Sequence, residues 1–419
     1  MRSETTSSPA MRFAAEPATT AAAHPSASAV AEHIEDRREI LLDYSHALHA
    51  DPEVSGDEHR AAQRTRSILQ GAGFSLSAPQ PSAPTALSAT IGSSDFVVTF
   101  CVEYDALPDI GHACGHNVNA AAALGAALAL APLAEELDLT VHVLGTPSEE
   151  THGGKIDLIQ EGFFSSTHAA AMAHASAHDS AGNSSLALSA WQVTFSGVAA
   201  HAASAPAAGI NALDAVHIAQ TAIAVARQQL PPRSVVSSVI TRGGDAVNII
   251  PDHTELLVEM RSPLVEHLEV INDRVDKCLR AGALATDCEI VIEPQGHSFA
   301  DLRQDDDLVR AYVSAMVDLG REVPTVAEAV ASTDMGNVSH VVPSIHPLIG
   351  YDVDGAVNHH RAFADHGTST SADLAILAAA YGLACAMATA ATDEELRRRL
   401  IERQRARSLH PCSDAGKRP

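Results

Sequence analysis

The stretch FVVTFCVEYDALPDIGHACGHNVNAAAALGAALALA, residues 96–131, decides the fold. It opens with a short apolar run rich in Val and Phe (96–102), which is typical of a buried strand. It closes with an all-apolar segment (119–131) that favours a buried helix. Further apolar strands are predicted at 139–144 and 169–173, and they alternate with helices. This alternation indicates an α/β fold with a mainly parallel sheet that is covered by helices.

The pattern changes at Leu186, where LALSAWQVTFS (186–196) alternates like a half-exposed strand. A helix, two strands, a helix and a last strand follow, and this order is the ferredoxin-like α+β pattern. We therefore expect a ferredoxin-like domain inserted into the larger α/β domain. The predicted organisation is a disordered tail at 1–30, the larger domain at 31–187 and 300–405, the inserted domain at 188–299, and a second tail at 406–419.

Composition excludes several classes of protein. The 419 residues carry 27 basic and 52 acidic side chains, a net charge of −25 that repels nucleic acid and anionic membranes. The apolar run at 120–131 is shorter than the ~18 residues of a membrane span, and no basic-then-apolar secretory signal opens the chain. The six cysteines form no CxxC pair and no dense disulfide framework, so a reducing, cytoplasmic location is expected.

Cys114 and His116 lie two residues apart in the loop that joins the first strand to the first buried helix. Loops at the carboxyl ends of parallel strands are where such sheets bind ligands. Thiolate and imidazole groups suit Zn²⁺ and other divalent transition metals, and Asp105 is suited to hold a ligand imidazole in place. A buried structural cysteine beside surface histidines explains the same residues, and this segment alone leaves the two alternatives open.

Three more segments with ligand-type side chains follow predicted strands or open the last helical region. Adjacent carboxylates, here Glu149 and Glu150, are costly unless a cation lies between them; one can ligate a metal while the other acts as a base. Taken singly, the glutamates are more often a solvated pair, and His174 and His359 are more often ordinary core or surface histidines. Ligand-type side chains nevertheless occur at four sites of one predicted sheet, and this coincidence favours a shared metal site.

HACGHN (112–117), the Glu149–Glu150 pair and the downstream histidines resemble metallopeptidase family 20, which includes aminoacylases and hippurate hydrolase. EYDALP (103–108) and TDMGNVS (333–339) are most similar to its aminobenzoyl-glutamate hydrolase and β-alanyl-dipeptide hydrolase branch. The resemblance spans roughly residues 33–395. It implies two divalent ions, Mn²⁺ first and Zn²⁺ second, with Glu149 as the general base. The implied metal ligands are Cys114 as the bridge, His116, Glu150, His174, and His359 rather than His360.

GVAAHA (197–202) resembles the lid motif of this family, whose histidine reaches an active site, commonly across a dimer. The resemblance implies a homodimer through the inserted domain and an oxyanion-stabilising role for His201. It also implies that Asn248 and Arg261 hold a substrate carboxylate, which Arg does through paired hydrogen bonds. From the residues alone, Arg261 is a strand-end surface charge and Asn248 a turn residue.

These features together predict a hydrolase that uses metal-activated water to cleave a C–N bond in a small carboxylate-bearing substrate. An N-acyl amino acid or a dipeptide-like amide is the expected substrate. One alternative on the same site, implied by the resemblance of this family branch to 5-nitroanthranilate aminohydrolase, is an aromatic amine aminohydrolase that converts 5-nitroanthranilate to 5-nitrosalicylate and ammonia. A second is a non-catalytic binding protein on a hydrolase scaffold. A third is a cysteine-nucleophile enzyme using Cys114 and His116, which a chelator would leave active.

Overall fold

The computed structural model describes residues 26–77, 83–325 and 331–409. The α-helices are Ala27–Ala50 (α1), His59–Gly71 (α2), His116–Leu130 (α3), Gly154–Gln160 (α4), Ala212–Ala226 (α5), Val265–Thr286 (α6), Asp306–Asp318 (α7), Met335–Val341 (α8), Arg361–Ala364 (α9), Thr370–Thr392 (α10) and Glu394–Leu409 (α11). The strands are Ser75–Leu76 (β1), Leu87–Ile91 (β2), Val97–Val102 (β3), Thr140–Gly145 (β4), Thr167–Ala171 (β5), His174–Ser176 (β6), Ala187–Ser196 (β7), Ala200–His201 (β8), Val235–Arg242 (β9), Ile249–Ile250 (β10), His253–Ser262 (β11), Glu289–Pro294 (β12), Ser344–Ile345 (β13) and Leu348–Gly350 (β14).

The larger sheet has six strands in the order β1-β2-β4-β3-β5-β13. Strand β3 pairs in parallel with β4 and β5, and β13 pairs in parallel with β5. Strands β1 and β2 add an antiparallel edge. The mainly parallel α/β fold is therefore confirmed, and the loops that follow β3 and β4 leave the sheet at the same edge.

Two apolar helices, α3 and α10, pack against each other in the core. Every residue of α3 is buried, which agrees with its lack of any polar face. By length and composition alone, residues 116–133 and 370–392 are apolar enough to cross a membrane, but 89% of each window is buried inside the protein. Their alanines let neighbouring helices approach closely, so these segments are core helices that pack against the sheet.

The second sheet is antiparallel, with the strand order β12-β7-β11-β9. Helices α5 and α6 cover one face, and Val193, Phe195 and Leu256 face them in a separate hydrophobic core. Chain order and strand order together make the ferredoxin-like pattern that the sequence predicts. Strand β9 lies at one edge of this sheet and carries several exposed side chains.

The predicted tails are too long at both ends. Helix α1 begins at Ala27 because Val30 and Ile34 are fully buried, so the disorder expected through residue 30 is wrong for residues 27–30. Helix α11 extends to Leu409, so residues 406–409 are helical rather than tail. Charge pairs between Arg398 and Glu402 support its exposed face. The remaining predicted tail, residues 1–25 and 410–419, lies outside the described residues.

Candidate metal centre

The loop between β3 and α3 carries the first two candidate ligands, and its shape depends on Gly115. This residue has φ +79°, and a Cβ atom there would lie 2.3 Å from the Cβ of Ala175. Only glycine permits that approach. The loop therefore packs closely against β6, which places Cys114 next to His174 and starts α3 at His116.

Cys114 lies at the centre of the cluster. Its Sγ is 3.6 Å from His174 Nε2 and 3.4 Å from His359 Nε2. The ligand atoms of Cys114, His116 and His174 lie within 4.8 Å of one another, and so do those of Cys114, Glu150 and His359. The thiol is thus shared by two groups of three, and the structure brings together all five side chains that the resemblance implied.

Asp105 orients two members of this cluster, His116 and Glu150. His116 Nδ1 lies 2.8 Å from the backbone oxygen of Asp105 and 3.1 Å from its Oδ1, so Nε2 is directed at the other ligands. Asp105 Oδ2 accepts hydrogen bonds from Ser55 Oγ at 2.7 Å and from the Glu150 backbone N–H at 3.0 Å. One carboxylate therefore fixes both a ligand imidazole and the loop that carries the paired glutamates.

The other two imidazoles are held by backbone contacts. His174 Nδ1 donates to the Ala175 carbonyl at 2.9 Å, which leaves Nε2 with its lone pair facing Cys114. Burial and the nearby His116 lower the pKa of His174 to about 4, so its imidazole is neutral and able to ligate. His359 adopts φ +67°, and its N–H donates to the Ala113 carbonyl at 2.9 Å. Its Nε2 lies 3.6 Å from Glu150 Oε2.

The charges of the cluster fit a cation. Burial raises the pKa of Glu149 well above its ordinary value, and the Glu103 and Glu150 carboxylates raise it further. Burial and Glu150 also raise the pKa of the Cys114 thiol. His116 Nε2 and Glu150 Oε1 are buried without a hydrogen-bond partner among the described residues. These two atoms lie 3.7 Å apart, and His116 Nε2 is also 3.1 Å from Glu103 Oε1; crowded ligand atoms of this kind are an arrangement that divalent metals can satisfy.

A buried charge triad beneath the cluster was missed by sequence reasoning. Lys155 Nζ contacts the Glu103 carboxylate and lies 2.7 Å from Asp334 Oδ1, with the three side chains 0–1% exposed. Burial alone would raise the pKa of Glu103, but Lys155 and His116 outweigh it, and the net shift is downward. Glu103 Oε1 in turn lies 3.1 Å from His116 Nε2. Both ring nitrogens of His116 therefore lie beside carboxylates. Burial lowers the pKa of His116, but Glu103 and Asp105 outweigh burial and raise it well above its ordinary value, so Nε2 would lose a proton when a cation binds there.

His346 is a second buried residue that the sequence did not point to. It is 3% exposed, its ring lies edge-on to His174 with centroids 5.6 Å apart, and neither ring nitrogen has a hydrogen-bond partner among the described residues. Burial and His174 lower the pKa of His346 to about 3, so it is neutral. A histidine within an apolar-looking segment gives no sequence signal of its own.

His201 lies exposed on β8, in the inserted domain. Its Nδ1 accepts hydrogen bonds from the backbone N–H groups of Ala203 and Ser204, each at 3.2 Å. These bonds fix the tautomer, so Nε2 carries the proton and is free to donate it outward. Asn248 is also exposed, and β10, which follows it, pairs with β8 through Ile249 and His201.

Arg261 lies on β11 and forms an ion pair with Glu259 at 2.6 Å. Its guanidinium also donates to Ser332 Oγ at 3.2 Å. In the structure, therefore, Arg261 is engaged with its own neighbours, and the roles of His201, Asn248 and Arg261 in catalysis or binding stay predictions.

A mainly parallel α/β sheet that brings together a thiol, three imidazoles and a carboxylate, with a second carboxylate adjoining, is the arrangement of a metal-dependent hydrolase. Residues 100–385 match the profile of Peptidase family M20/M25/M40. The chain belongs to this family.

Characterised relatives agree with that class. The chain is similar to the mouse Xaa-Arg dipeptidase, at 38% identity over 90% of this chain and 92% of the relative. It is 31% identical to one of the subunits of the Escherichia coli p-aminobenzoyl-glutamate hydrolase, over 61% of this chain and 58% of the relative. These relatives confirm a hydrolase that acts on amide bonds.

Solved structures confirm the fold. A Staphylococcus aureus protein described as an aminohydrolase superposes with a TM-score of 0.72 at 19% identity, over 86% of this chain and 98% of that one. A dinuclear metal-binding M20 peptidase from Bacillus subtilis superposes with a TM-score of 0.61 at 20% identity, over 82% and 98%. The architecture is thus that of the family.

Proposed function

We propose that this chain is a two-metal hydrolase of dipeptide-like amides that carry a free carboxylate and a basic C-terminal residue. The observation that carries the proposal is the position of Cys114, whose thiol belongs to two groups of metal-ligand side chains at once. Cys114 would hold both ions, His116 and His174 would complete one site, and Glu150 and His359 the other. Mn²⁺ is the first candidate and Zn²⁺ the second, because a mixed thiolate, imidazole and carboxylate set suits both.

When bound, such cations lower the pKa of a coordinated water and polarise the substrate carbonyl. Glu149 is the candidate for proton transfer, because it adjoins the proposed ligand Glu150 and is buried, with 7% of its surface exposed. We assign to it the general-base step, in which it accepts a proton from the attacking water and then returns it to the leaving nitrogen. Asp105 acts as a positioning residue through His116.

His201 is proposed to donate its Nε2–H to the developing oxyanion. Its position in the inserted domain favours delivery from a second copy of the chain. Exposed apolar residues on the edge strand β9, Val235 and Val239, and on α5, Ile218 and Val225, favour a homodimer through this domain. Size-exclusion chromatography with light scattering tests this, with Val239→Lys expected to shift the protein towards the monomer mass.

The preference for a basic residue rests on two observations. The relative with 38% identity over most of both chains is named for Xaa-Arg dipeptides. The net charge of −25 attracts cationic substrates and repels anionic ones. Asn248 and Arg261 remain the candidates for holding the substrate carboxylate, which for Arg261 requires release from Glu259. The five described cysteines are all free, which supports a reducing, cytoplasmic location.

The decisive experiment replaces Glu149 by Ala and by Gln, with Glu161→Gln, an exposed residue at the end of α4, as the matched control. We expect both Glu149 variants to keep their metal, measured by plasma mass spectrometry, while kcat falls by about 10²–10⁴. The control should match the wild type. Retained metal together with kcat within tenfold of the wild type would remove Glu149 from the base role.

A substrate panel tests specificity. Dipeptides ending in Arg or Lys should be cleaved with higher kcat/KM than dipeptides ending in a neutral residue, and added salt should reduce this advantage because it screens the charge. N-acyl amino acids, p-aminobenzoyl-glutamate and 5-nitroanthranilate complete the panel. Ammonia release from 5-nitroanthranilate without amide cleavage would replace the dipeptidase proposal by the aminohydrolase.

A further inference from the structure

A second group of metal-ligand side chains lies outside the catalytic cluster. His152 follows the paired glutamates, Asp157 lies on α4, and His297 lies in the segment that returns from β12 to the larger domain. Their ligand atoms lie within 4.8 Å of one another. His297 Nε2 is 2.7 Å from Asp157 Oδ1, and His152 Nε2 is 3.1 Å from Asp157 Oδ2. Both imidazoles therefore present the same ring nitrogen to one carboxylate.

The backbone holds the two histidines together before any ligand binds. The His297 N–H donates to the His152 carbonyl at 3.1 Å, and the two rings lie with centroids 4.6 Å apart. Gly296 has φ +67°, and a Cβ atom there would lie 2.7 Å from the Thr151 carbonyl oxygen, so only glycine allows the segments to approach this closely. The three side chains are thus preorganised across the junction of the two domains.

The spacing suits a tetrahedral transition metal. Ligand atoms about 2.0–2.1 Å from Zn²⁺ are roughly 3.3 Å apart in a tetrahedral site. The observed separations of 2.7 Å to Asp157 Oδ1 and 3.1 Å to Asp157 Oδ2 would have to widen by about 0.6 and about 0.2 Å to reach that spacing. His152 is 54% exposed at the side chain, so water can reach the fourth position.

We propose that His152, Asp157 and His297 form an additional cation site for Zn²⁺ or a similar transition metal such as Ni²⁺ or Co²⁺. Two imidazoles and one carboxylate are ligands of this class of ion. A cation bound at this site connects the return segment of the inserted domain to the loop that directly follows the catalytic glutamates. The site uses none of the five catalytic ligands, so it does not depend on the proposed substrate.

The test is zinc stoichiometry of the purified holoenzyme. Wild type, His297→Gln, Asp157→Asn and the exposed control His59→Gln are equilibrated with Zn²⁺, desalted and measured by plasma mass spectrometry. We expect the wild type and the control to hold one more Zn²⁺ per chain than either site variant, and the variants to bind that ion at least ~10-fold more weakly. The double variant that combines Cys114→Ser with His297→Gln should lose as much bound zinc as the two single variants together, because the two sites are separate.

Hydrogen exchange provides a second readout that does not involve activity. Zn²⁺ should slow exchange in residues 151–157 and 295–299 of the wild type, and His297→Gln and Asp157→Asn should abolish this slowing while circular dichroism stays unchanged. Equal zinc content in wild type and both site variants would overturn the proposal. So would zinc-induced protection that survives in both variants, since the side chains would then form only a hydrogen-bonded contact.

Discussion

Lys155 offers the sharpest test of how the site is supported. Its ammonium is fully buried between the carboxylates of Glu103 and Asp334, whose side chains are 1% and 0% exposed. Lys155→Met keeps an unbranched side chain of nearly the same length and removes the ammonium group, with its charge and its hydrogen bonds to Glu103 and Asp334. Two buried carboxylates then remain without their cation, and breaking a buried pair in this way costs about 3–5 kcal/mol. We expect a loss of unfolding free energy in that range, together with a loss of activity, because Glu103 adjoins His116.

The assay is urea unfolding of the metal-loaded enzyme, and Lys277→Met is the matched control. Lys277 pairs with Asp273 at 2.5 Å, but both side chains are about two-thirds exposed, at 67% and 65%. An exposed pair of this kind contributes less than ~1 kcal/mol. The same substitution should therefore give a severalfold larger loss at position 155 than at position 277.

The sign of the pH dependence is also fixed. In the wild type, Lys155 and His116 hold the pKa of Glu103 below its ordinary value, so this carboxylate stabilises the fold at neutral pH and loses that contribution in acid. Burial already raises the pKa of Asp334 in the wild type although Lys155 lowers it. Without the ammonium, the pKa values of both Glu103 and Asp334 rise in the folded state, so protonation favours the variant's fold. The gap between wild type and Lys155→Met should shrink from pH 8 to pH 5. A variant within 1 kcal/mol of the wild type at pH 7 would refute the reasoning.

Three further outcomes are expected. A chelator should abolish amide cleavage and lower the stability of the holoenzyme, by about 2.7 kcal/mol where the free metal had been 100 times its Kd; full activity after measured metal removal would favour the cysteine-nucleophile alternative. Gly115→Ala should lower the free energy of unfolding by at least about 1–3 kcal/mol and release metal. Gly162→Ala, at a similar φ of +84° but with open space around it, should leave the metal content unchanged. Equal metal content in the two variants would contradict the packing argument. Burial lowers the pKa of His142 to about 4, so the neutral imidazole contributes its full stability above pH 6.5, and about 3 kcal/mol of unfolding free energy is lost as the pH falls to 4. In urea titrations, His142→Gln should lose less stability than the wild type as the pH falls. An identical pH dependence of the unfolding free energy in the two proteins would exclude this role for His142.

The strand–loop–helix unit was predictable because its signals are local. An apolar strand, a Gly-containing polar loop and an all-apolar helix succeed one another within residues 96–131, and the loop after a parallel strand is a ligand-binding position. Cys114 and His116 could be identified for the same reason. The inserted domain was also readable, since its strands alternate with a period of two while its helices do not.

The support beneath the ligands was not predictable, because it depends on pairings across the chain. Lys155 and Asp334 are 179 residues apart. Asp334 lies within the TDMGNVS segment, but nothing in either local sequence indicates that the two side chains pair. Only the folded chain shows that both lie beside Glu103. The start of α1 was missed for a different reason, since the Ala- and Ser-rich composition before residue 30 hides the one or two buried side chains that decide where the helix begins.

The triad and the metal ligands solve different parts of one electrostatic problem. The sheet edge collects Glu103, Glu149, Glu150 and Asp334 in a space that excludes most water, where like charges repel strongly. The single positive charge of Lys155 offsets one of the two negative charges that Glu103 and Asp334 carry. Burial, together with the Glu103 and Glu150 carboxylates, raises the pKa of Glu149 well above its ordinary value. Glu150 itself lies 3.7 Å from His116 Nε2 and 3.6 Å from His359 Nε2. An excess of buried carboxylates beside thiol and imidazole ligands is a setting in which a bound cation would lower the repulsion between them, in keeping with the metal centre proposed for this chain.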